Sequence, residues 1–457
     1  MRFLFLILRE ASPYMKVLQI EGCQPLYGEL EVSGSKNAAL PILFATILTN
    51  DECLLRGVPD IADVRNAVKI LRSLGASVEW RGSTLAVNTR MLTPPKASVP
   101  EADRLRGSLY LLGAMLGNFG ETVLLGAGGC DFGVRPIDYH LAAFCKLGAS
   151  VKRVSEEGAV LQAATLRGGD IVLPKPSVGA TVNSMLAAVK AKGSTRIIGA
   201  AREPHVVDTA RFLQSCGARI SGAGESCICI EGVCALHGAT HTVIPDMIEA
   251  GTFLTMGAAC GGEISIRDAN PEELTEPLRL LAAMGNEVRI EKKCIRLRRK
   301  KPLTGISLHT SPYPGFPTDL QPQFGALLTL SRGGGTVTET VFDNRFRYAE
   351  QLRRMGAHMI LDGKNARFRG GDKLRGAVVE ASDLRAGAAL AIAALAAEGK
   401  SFVHNYSLIE RGYECFAEKI CLLGGKAELT ETSTAGESAL AEDAPQSGNE
   451  NNGTVKK

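Results

Sequence analysis

The sequence predicts an α/β protein with two similar domains, built from six repeated units with three units in each domain. Three observations support this prediction. The chain has 457 residues, more than one hydrophobic core normally holds. A glycine that ends an amphipathic helix recurs at nearly equal intervals, from Gly75 to Gly424, and a second series of apolar helices lies between these glycines.

Each amphipathic helix is predicted to stop at a glycine, because glycine takes the left-handed conformation after a helix at little cost. A short alternating segment follows, such as Ser150-Val151-Lys152 or Glu287-Val288-Arg289-Ile290, which is typical of a β-strand. The six turn glycines are Gly75, Gly148, Gly217, Gly285, Gly356 and Gly424.

The second series of helices is rich in Ala, Leu and Met on nearly every side, so these helices are predicted to be buried all round. Because they are roughly parallel copies of one another, their N-termini should point the same way. The expected ranges are residues 38–48, 108–116, 180–189, 252–259, 321–330 and 387–396.

Polar and charged residues stand at the starts of these interior helices. A helix N-terminus carries unpaired N–H groups and a partial positive charge, and an added Lys or Arg makes it a strong anion site. The pattern therefore favours phosphate or carboxylate ligands, although solvated residues that merely flank helices are an alternative at any single position. The residues are Lys36 and Asn37, Arg106, residues 177–179, Glu249, Asp319 and Arg385.

A glycine-rich segment, residues 128–138, surrounds Cys130 and is called the cysteine loop below. Three glycines predict a flexible loop with an accessible thiol. The positive charge of Arg135 would lower the pKa of the thiol, and the negative charge of Asp131 would raise it. The effect of Asp131 suits a thiol that acts as a proton donor better than a thiol that acts as a nucleophile. An inert thiol in a glycine-rich turn is the alternative.

The composition excludes several classes of protein. Hydrophobic residues form 45% and charged residues 22% of the chain, which is typical of a folded protein. The net charge is only +4, so we expect no nucleic-acid partner, and the absence of an apolar run of about eighteen residues argues against a membrane span. Twelve cysteines scattered through so long a chain favour free thiols in the cytoplasm.

Cofactor and metal signatures are missing from the sequence. No Walker loop, G-x-G-x-x-G or H-E-x-x-H motif occurs, so we expect no cofactor. A rival zinc site is suggested by Cys227, Cys229, Cys234, His237 and His241. However, the first two alternate as in a buried strand and the histidines lack the spacing of a zinc finger, so we expect no metal.

The two ends of the chain are predicted to lie outside the repeats. Residues 1–14 resemble the start of a signal peptide, but their apolar core is too short, and Met15 is a more ordinary start. Residues 1–14 are therefore interpreted as an extension. Residues 431–457 lack apolar periodicity and are predicted to form a disordered tail.

Seven short motifs together resemble the UDP-N-acetylglucosamine enolpyruvyl transferase family, over about residues 15–430. The resemblance implies two inside-out α/β barrels that close on substrate at a hinge. We expect one discontinuous domain of residues 15–35 and 245–430, and a second domain of residues 36–244 that carries the cysteine loop. The motifs are Ser33-Gly34-Ser35-Lys36-Asn37-Ala38, Gly-Gly-Cys130 with Arg135-Pro136, Ala201-Arg202-Glu203-Pro204, Phe316-Pro317-Thr318-Asp319, Glu339-Thr340-Val341-Phe342, Asp383-Leu384-Arg385-Ala386 and Arg411-Gly412-Tyr413-Glu414.

The resemblance also implies a reaction, the transfer of the enolpyruvyl group of phosphoenolpyruvate to the 3′-hydroxyl of UDP-N-acetylglucosamine with release of phosphate. This is the first committed step of peptidoglycan precursor synthesis. By resemblance, Cys130 donates a proton and can form a covalent adduct, Asp319 is the candidate base, and Lys36 and Arg411 also serve catalysis. Protein partners are left open.

The resemblance assigns binding residues to each substrate. Phosphoenolpyruvate would contact Lys36, Asn37, Arg135, Arg345, Arg385 and Arg411. UDP-N-acetylglucosamine would contact Arg106, Arg135, Pro136, Ile137, Asp138, Tyr139, Lys175, Pro176, Ser177, Val178, Asp319 and Val341.

The chain departs from the family pattern at four positions: Tyr110 replaces another aromatic residue, Met247 an arginine and His205 a carboxylate, and Asp131 lies beside the cysteine. Two other functions are compatible with the six repeated units. Transfer to shikimate 3-phosphate would not need the cysteine loop, and a silent paralogue that only binds nucleotide sugar would not need Lys36, Cys130, Asp319 and Arg411 together.

Overall fold

The computed structural model describes residues 14–94, 99–124, 126, 128, 136–155 and 158–433. Three residues of the predicted site region, Cys130, Asp131 and Arg135, lie outside the described residues. So do most of the predicted N-terminal extension and most of the predicted tail.

Helices and strands alternate along the described chain. The helices are α1 (Lys36–Ala45), α2 (Ala62–Ser73), α3 (Tyr110–Phe119), α4 (Asp138–Lys146), α5 (Val178–Ala188), α6 (Pro204–Ser215), α7 (Met247–Cys260), α8 (Thr275–Ala283), α9 (Gln321–Leu330), α10 (Tyr348–Arg354), α11 (Leu384–Ala396) and α12 (Phe416–Leu422). The strands are β1 (Tyr14–Glu21), β2 (Leu26–Glu31), β3 (Glu52–Arg56), β4 (Ser77–Arg81), β5 (Thr84–Asn88), β6 (Glu121–Leu124), β7 (Ser150–Ser155), β8 (Gly158–Gln162), β9 (Asp170–Val172), β10 (Ser194–Ile198), β11 (Arg219–Ser221), β12 (Cys227–Glu231), β13 (Thr240–Thr242), β14 (Gly262–Arg267), β15 (Asn286–Glu291), β16 (Cys294–Arg299), β17 (Leu308–His309), β18 (Gly335–Thr338), β19 (Met359–Asp362), β20 (Asn365–Phe368), β21 (Val378–Glu380), β22 (Lys400–His404) and β23 (Lys426–Ser433).

The described strands form six separate sheets. Three have the orders β13-β3-β5-β4, β6-β8-β7 and β11-β12-β10-β9, and three have the orders β15-β16-β14-β2, β17-β18-β20-β19 and β21-β22-β1-β23. Each four-stranded sheet contains one parallel pair, and its other pairs are antiparallel.

The buried hydrophobic residues form two cores. The first core draws on residues 38–243, and the second core draws on residues 18–32 and 248–423. Helices α1, α3 and α5 lie in the first core, and α7, α9 and α11 lie in the second core, with most of their residues buried. The chain is thus a two-domain α/β protein, and the prediction of six interior helices is confirmed.

The amphipathic series is confirmed as well, as α2, α4, α6, α8, α10 and α12. In α2, for example, Val64, Ala67, Val68 and Leu71 are buried on one face. All six turn glycines have positive φ angles, between 81° and 99°, which an L side chain would adopt only with strain.

The chain crosses between the two cores twice, and the two crossing segments pair with each other. Ser35 N donates to Ile244 O at 2.7 Å, and Asp246 N donates to Ser33 O at 2.8 Å. As a result two strands are exchanged: β2 precedes α1 but pairs with β14, and β13 precedes α7 but pairs with β3. The crossing places the N-termini of α1 and α7 side by side, where Lys36 N donates to Asp246 Oδ2 at 3.1 Å.

The ends of the described chain are held in one sheet. Strand β1 begins at Tyr14, and β23 pairs with it along its length up to Ser433. The ordered strand therefore continues to Ser433, inside the segment predicted as a tail, because antiparallel pairing with β1 supplies its hydrogen bonds. None of the described helices is long and apolar enough to span a membrane.

Candidate active site

A cluster of charges with two buried arginines lies at the N-terminal ends of the interior helices. Asp319 stands in a 3-10 turn, Thr318–Leu320, directly before α9. Its Oδ1 accepts from Arg345 Nη2 at 2.9 Å, and its Oδ2 accepts from Arg385 Nη2 at 3.0 Å. Both arginines are almost fully buried, with relative exposures of 2% and 3%.

These contacts fix the ionisation of Asp319. Burial alone would raise its pKa, but the charges of Arg385 and Arg345, with a smaller contribution from Lys36, hold the pKa well below its ordinary value. The carboxylate is therefore anionic, and its proton affinity depends on how firmly the two arginines hold it.

A second charged cluster joins the two cores. Asp63, in the first turn of α2, accepts from Lys36 Nζ at 2.7 Å and from Arg411 Nε at 2.9 Å. Burial would raise the pKa of Asp63, but the two cations outweigh it and lower the pKa. Lys36 begins a helix of the first core and Arg411 comes from the second, so one carboxylate holds cations from both sides.

The segment around Arg411 is docked on the start of α2. Asp60 N donates to Glu414 Oε1 at 2.9 Å, and Ala62 N donates to Glu410 O at 2.9 Å. These bonds satisfy backbone groups of the first core with acceptors from the second core. The position of Arg411 is thereby set by backbone contacts as well as by its ion pair.

Residues predicted for the nucleotide sugar lie at the starts of α3, α4 and α5. Arg106 opens a 3-10 turn before α3, and Asp138 and Tyr139 open α4. Ser177 caps α5, where its Oγ accepts from Ala180 N at 3.4 Å. The neighbouring residues take similar places: Pro136 and Ile137 immediately precede α4, Lys175 and Pro176 are exposed before the cap, and Val178 is the first residue of α5.

His140 was missed by the sequence analysis and lies among these residues. It is buried, and neither ring nitrogen has a hydrogen-bond partner among the described residues. Burial, with the charge of Arg106, lowers the pKa of His140 to about 4, so the ring is neutral. The ring packs so closely on α5 that a Cβ at Gly179 would lie 2.8 Å from Nε2.

The remaining predicted residues are placed as follows. Asn37 is in the first turn of α1 and Val341 is exposed in the loop after β18. Glu249 is not the residue that caps α7, because Asp246 accepts from Ile248 N and Glu249 N. Burial raises the pKa of Glu249 to about 7, although it pairs with Lys419 near the crossing.

The departures from the family pattern also have definite places. Tyr110 opens α3, and Met247 opens α7 and packs on the second core. His205 lies close to Glu203 and Asp319: burial lowers the pKa of His205 although these carboxylates favour its charged form. The substitution thus places an imidazole within electrostatic reach of Asp319.

The zinc alternative finds no support in the part of the chain that the structure describes, where no group of three or more metal-binding side chains occurs. His241 Nε2 lies 3.1 Å from Asp208 Oδ1, and His237 Nδ1 lies 3.0 Å from Gly238 O.

Comparison with known proteins identifies relatives over most of the chain. The sequence model of the EPSP synthase (3-phosphoshikimate 1-carboxyvinyltransferase) family matches residues 20–420. A UDP-N-acetylglucosamine 1-carboxyvinyltransferase 2 of Listeria monocytogenes is 45% identical over 420 residues, which is 92% of this chain and 98% of the relative. A UDP-N-acetylglucosamine 1-carboxyvinyltransferase of Clostridium botulinum is 42% identical over 413 residues, with 90% and 99% covered.

Solved structures share the fold at lower identity. The enolpyruvyl transferase NikO of Streptomyces tendae is 24% identical with a TM-score of 0.83, over 92% of this chain and 100% of that one. An EPSP synthase of Acinetobacter baumannii is 19% identical with a TM-score of 0.69, over 91% and 100%. The more similar relatives from Listeria and Clostridium, which match over nearly their whole length, decide the assignment within this fold: the chain belongs to the UDP-N-acetylglucosamine 1-carboxyvinyltransferase family, within the wider EPSP synthase family.

Proposed function

We propose that this protein transfers the enolpyruvyl group of phosphoenolpyruvate to the 3′-hydroxyl of UDP-N-acetylglucosamine and releases phosphate, a step of peptidoglycan precursor synthesis. The observation that carries the proposal is the pair of charged clusters, one with Asp319 between Arg345 and Arg385 and one with Lys36 and Arg411 on Asp63. The charge of Lys36 also lowers the pKa of Asp319, which supports placing the two clusters in one site.

The cations suit the two anionic groups of phosphoenolpyruvate. Lys36, Arg135 and Arg411 are assigned to the phosphate, and Arg345 and Arg385 to the carboxylate. Asn37 is assigned to phosphoenolpyruvate as well. Arginine binds such groups through two parallel hydrogen bonds, which a lysine cannot reproduce. Because protein cations supply the positive charge, we propose that the reaction needs no metal or other cofactor.

The proton transfers are assigned to one acid and one base. Asp319 takes the proton of the 3′-hydroxyl as the hydroxyl oxygen bonds to C2 of phosphoenolpyruvate. The thiol of Cys130 gives a proton to C3. The Cys130 thiolate then takes a proton back from C3 as phosphate leaves C2 with the proton held by Asp319, which restores the double bond and both side chains. An arginine drawn from Asp319 to the substrate carboxylate raises the proton affinity of Asp319 at the moment a base is needed.

The nucleotide sugar is assigned to Arg106, residues 135–139, residues 175–178, Asp319 and Val341. The support is the grouping of the starts of α3, α4 and α5, whose N-terminal N–H groups favour a diphosphate. His140, neutral and buried between these starts, packs against the same surface.

We propose the predicted domains, residues 36–244 and residues 15–35 with 245–430, as two inside-out barrels of three units each that close around the substrates. The six sheets and the buried interior helices support this arrangement, and the paired crossing segments at residues 33–35 and 244–246 are the hinge. We also propose a cytoplasmic location, supported by the eleven described cysteines, all of which are free.

A phosphate-release assay tests the function. Phosphoenolpyruvate should yield phosphate with UDP-N-acetylglucosamine and not with shikimate 3-phosphate, at a rate that chelators leave unchanged. Release only with shikimate 3-phosphate would reassign the acceptor. Binding of the nucleotide sugar without turnover would support a silent paralogue, and loss of activity in chelator that zinc or magnesium restores would contradict the metal-free mechanism.

A further inference from the structure

Glu339 is a buried carboxylate at the edge of the candidate active site, with a relative exposure of 1%. It directly follows β18, which runs parallel to β17, so the segments that leave both strands emerge at the same edge of the sheet. One of these segments contains Thr310 and leads to Asp319, and the other contains Val341 and leads to Arg345.

The carboxylate of Glu339 joins the two segments through four hydrogen bonds. Its Oε1 accepts from Thr310 Oγ1 at 2.9 Å, and from Val341 N and Phe342 N at 2.8 and 3.1 Å. Its Oε2 accepts from Thr318 Oγ1 at 3.0 Å. These four donors are neutral, so the contacts are directional hydrogen bonds and not an ion pair.

Thr318 passes this constraint to the acid cluster. Its carbonyl oxygen accepts from Arg345 Nε at 3.3 Å and Nη2 at 3.1 Å, and Asp319 is the next residue. The conformation of Thr318 therefore sets both the carboxylate of Asp319 and the guanidinium that holds it. The same Glu339 fixes the backbone N–H of Val341, on the nucleotide-sugar side.

We propose that Glu339 is a positioning residue that couples acceptor binding at Val341 to the placement of Asp319 through Thr318. It does not touch the reacting atoms. The inference rests on the proposed function, in which Asp319 is the base. A carboxylate that only satisfied buried donors would stabilise the fold without linking these two sites.

A double-mutant cycle separates the two roles. Glu339→Gln keeps the shape, and its amide oxygen can still accept from the backbone N–H groups of Val341 and Phe342. Its amide NH2 group replaces Oε2 and faces Thr318 Oγ1, so the Thr318 hydroxyl can no longer donate to this side chain. Thr318→Val removes the hydroxyl. The matched control is Thr338→Val, at the end of β18, because the hydroxyl of Thr338 instead donates to Asn365 Oδ1 at 2.7 Å.

We expect Glu339→Gln and Thr318→Val each to lower kcat about 10- to 100-fold, with a double variant no slower than the slower single variant. KM for UDP-N-acetylglucosamine should rise modestly in Glu339→Gln, because the amide oxygen is a weaker acceptor than the carboxylate for the backbone N–H of Val341. It should stay near normal in Thr318→Val, because Thr318 does not contact Val341. Thr338→Val should have nearly normal kcat, and its effect should multiply with that of Glu339→Gln.

Losses that multiply in the Glu339–Thr318 pair would overturn the inference. So would a Glu339→Gln protein whose lower activity is explained by a lower folded fraction in thermal melts. An inactive wild-type protein would instead contradict the proposed function. In that case calorimetric titration with UDP-N-acetylglucosamine still tests the link to Val341, and unchanged affinity in Glu339→Gln would refute it.

Discussion

Asp319 is the residue on which the proposed chemistry depends most. Replacement by Asn keeps its shape but removes the base, so kcat should fall about 100- to 10,000-fold, while the affinity for UDP-N-acetylglucosamine should change much less. Steady-state kinetics and calorimetry measure the two effects, with the exposed Asp362→Asn as control. Near-normal turnover in Asp319→Asn would move the role of base to another residue.

Asp63 forms ion pairs with both Lys36 and Arg411. Asp63→Asn removes the buried counter-charge of Lys36 and Arg411, whose side chains are 13% and 16% exposed, which should destabilise the protein by about 1–3 kcal/mol. Inorganic phosphate should then raise the melting temperature of the variant more than that of the wild type, since it replaces the lost negative charge. Asp170→Asn, at an exposed ion pair with Arg196, is the control. Equal phosphate effects in all three proteins would argue against a phosphate site at Lys36 and Arg411.

The sequence located part of this site and missed the rest for a physical reason. Lys36, Asp319 and Arg385 stand at helix starts, and the regular repeat of the six units reveals such positions. Asp63 and Glu339 act through partners that are distant in the chain, such as Arg411 and Thr318. Only the fold brings those partners within hydrogen-bonding distance. A carboxylate inside an otherwise apolar stripe of α2 was the available signal for Asp63.

At the scale of elements, the crossing between the cores depends on Gly34. A Cβ at this position would lie 1.8 Å from Gly57 O, so Gly34→Ala must push the paired segments apart. We expect a loss of at least about 1–3 kcal/mol in unfolding free energy, and kcat and KM should change together, as for a hinge residue. Chemical denaturation and kinetics test this.

Gly169→Ala is the matched control, because the nearest atom to its added Cβ would be Lys146 O at 3.7 Å, an ordinary contact. If Gly34→Ala were as stable and active as Gly169→Ala, the crossing would not be rigid at this point.

At the scale of the whole molecule, the six units were predictable because helix periodicity and turn glycines are local properties of the sequence. The exchange of β2 and β13 between sheets follows no local pattern, since the choice of a parallel partner depends on contacts between segments far apart in the chain, as between β13 and β3. Only the family resemblance, through the discontinuous domain of residues 15–35 and 245–430, pointed to it. That exchange is also what brings Lys36 and Asp246 together, so the part of the fold hardest to predict is the part that assembles the site.

The stability of the whole molecule should also depend on pH through Glu273, in the 3-10 turn before α8. Burial raises its pKa from an ordinary 4.5 to about 7, against a hydrogen bond from Asn270 and with a further contribution from Asp208 of the first core. The folded protein therefore binds this proton more tightly than the unfolded chain. The stabilisation is complete below about pH 4.5 and is lost as the pH rises through 7.

Glu273→Gln cannot titrate, so between pH 5 and 8 the melting temperature of the wild type should fall relative to that of the variant. Glu276→Gln is the control, because a hydrogen bond from Arg279 lowers the pKa of Glu276. Parallel melting curves for the wild type and Glu273→Gln across this range would show that Glu273 is already ionised in the folded protein.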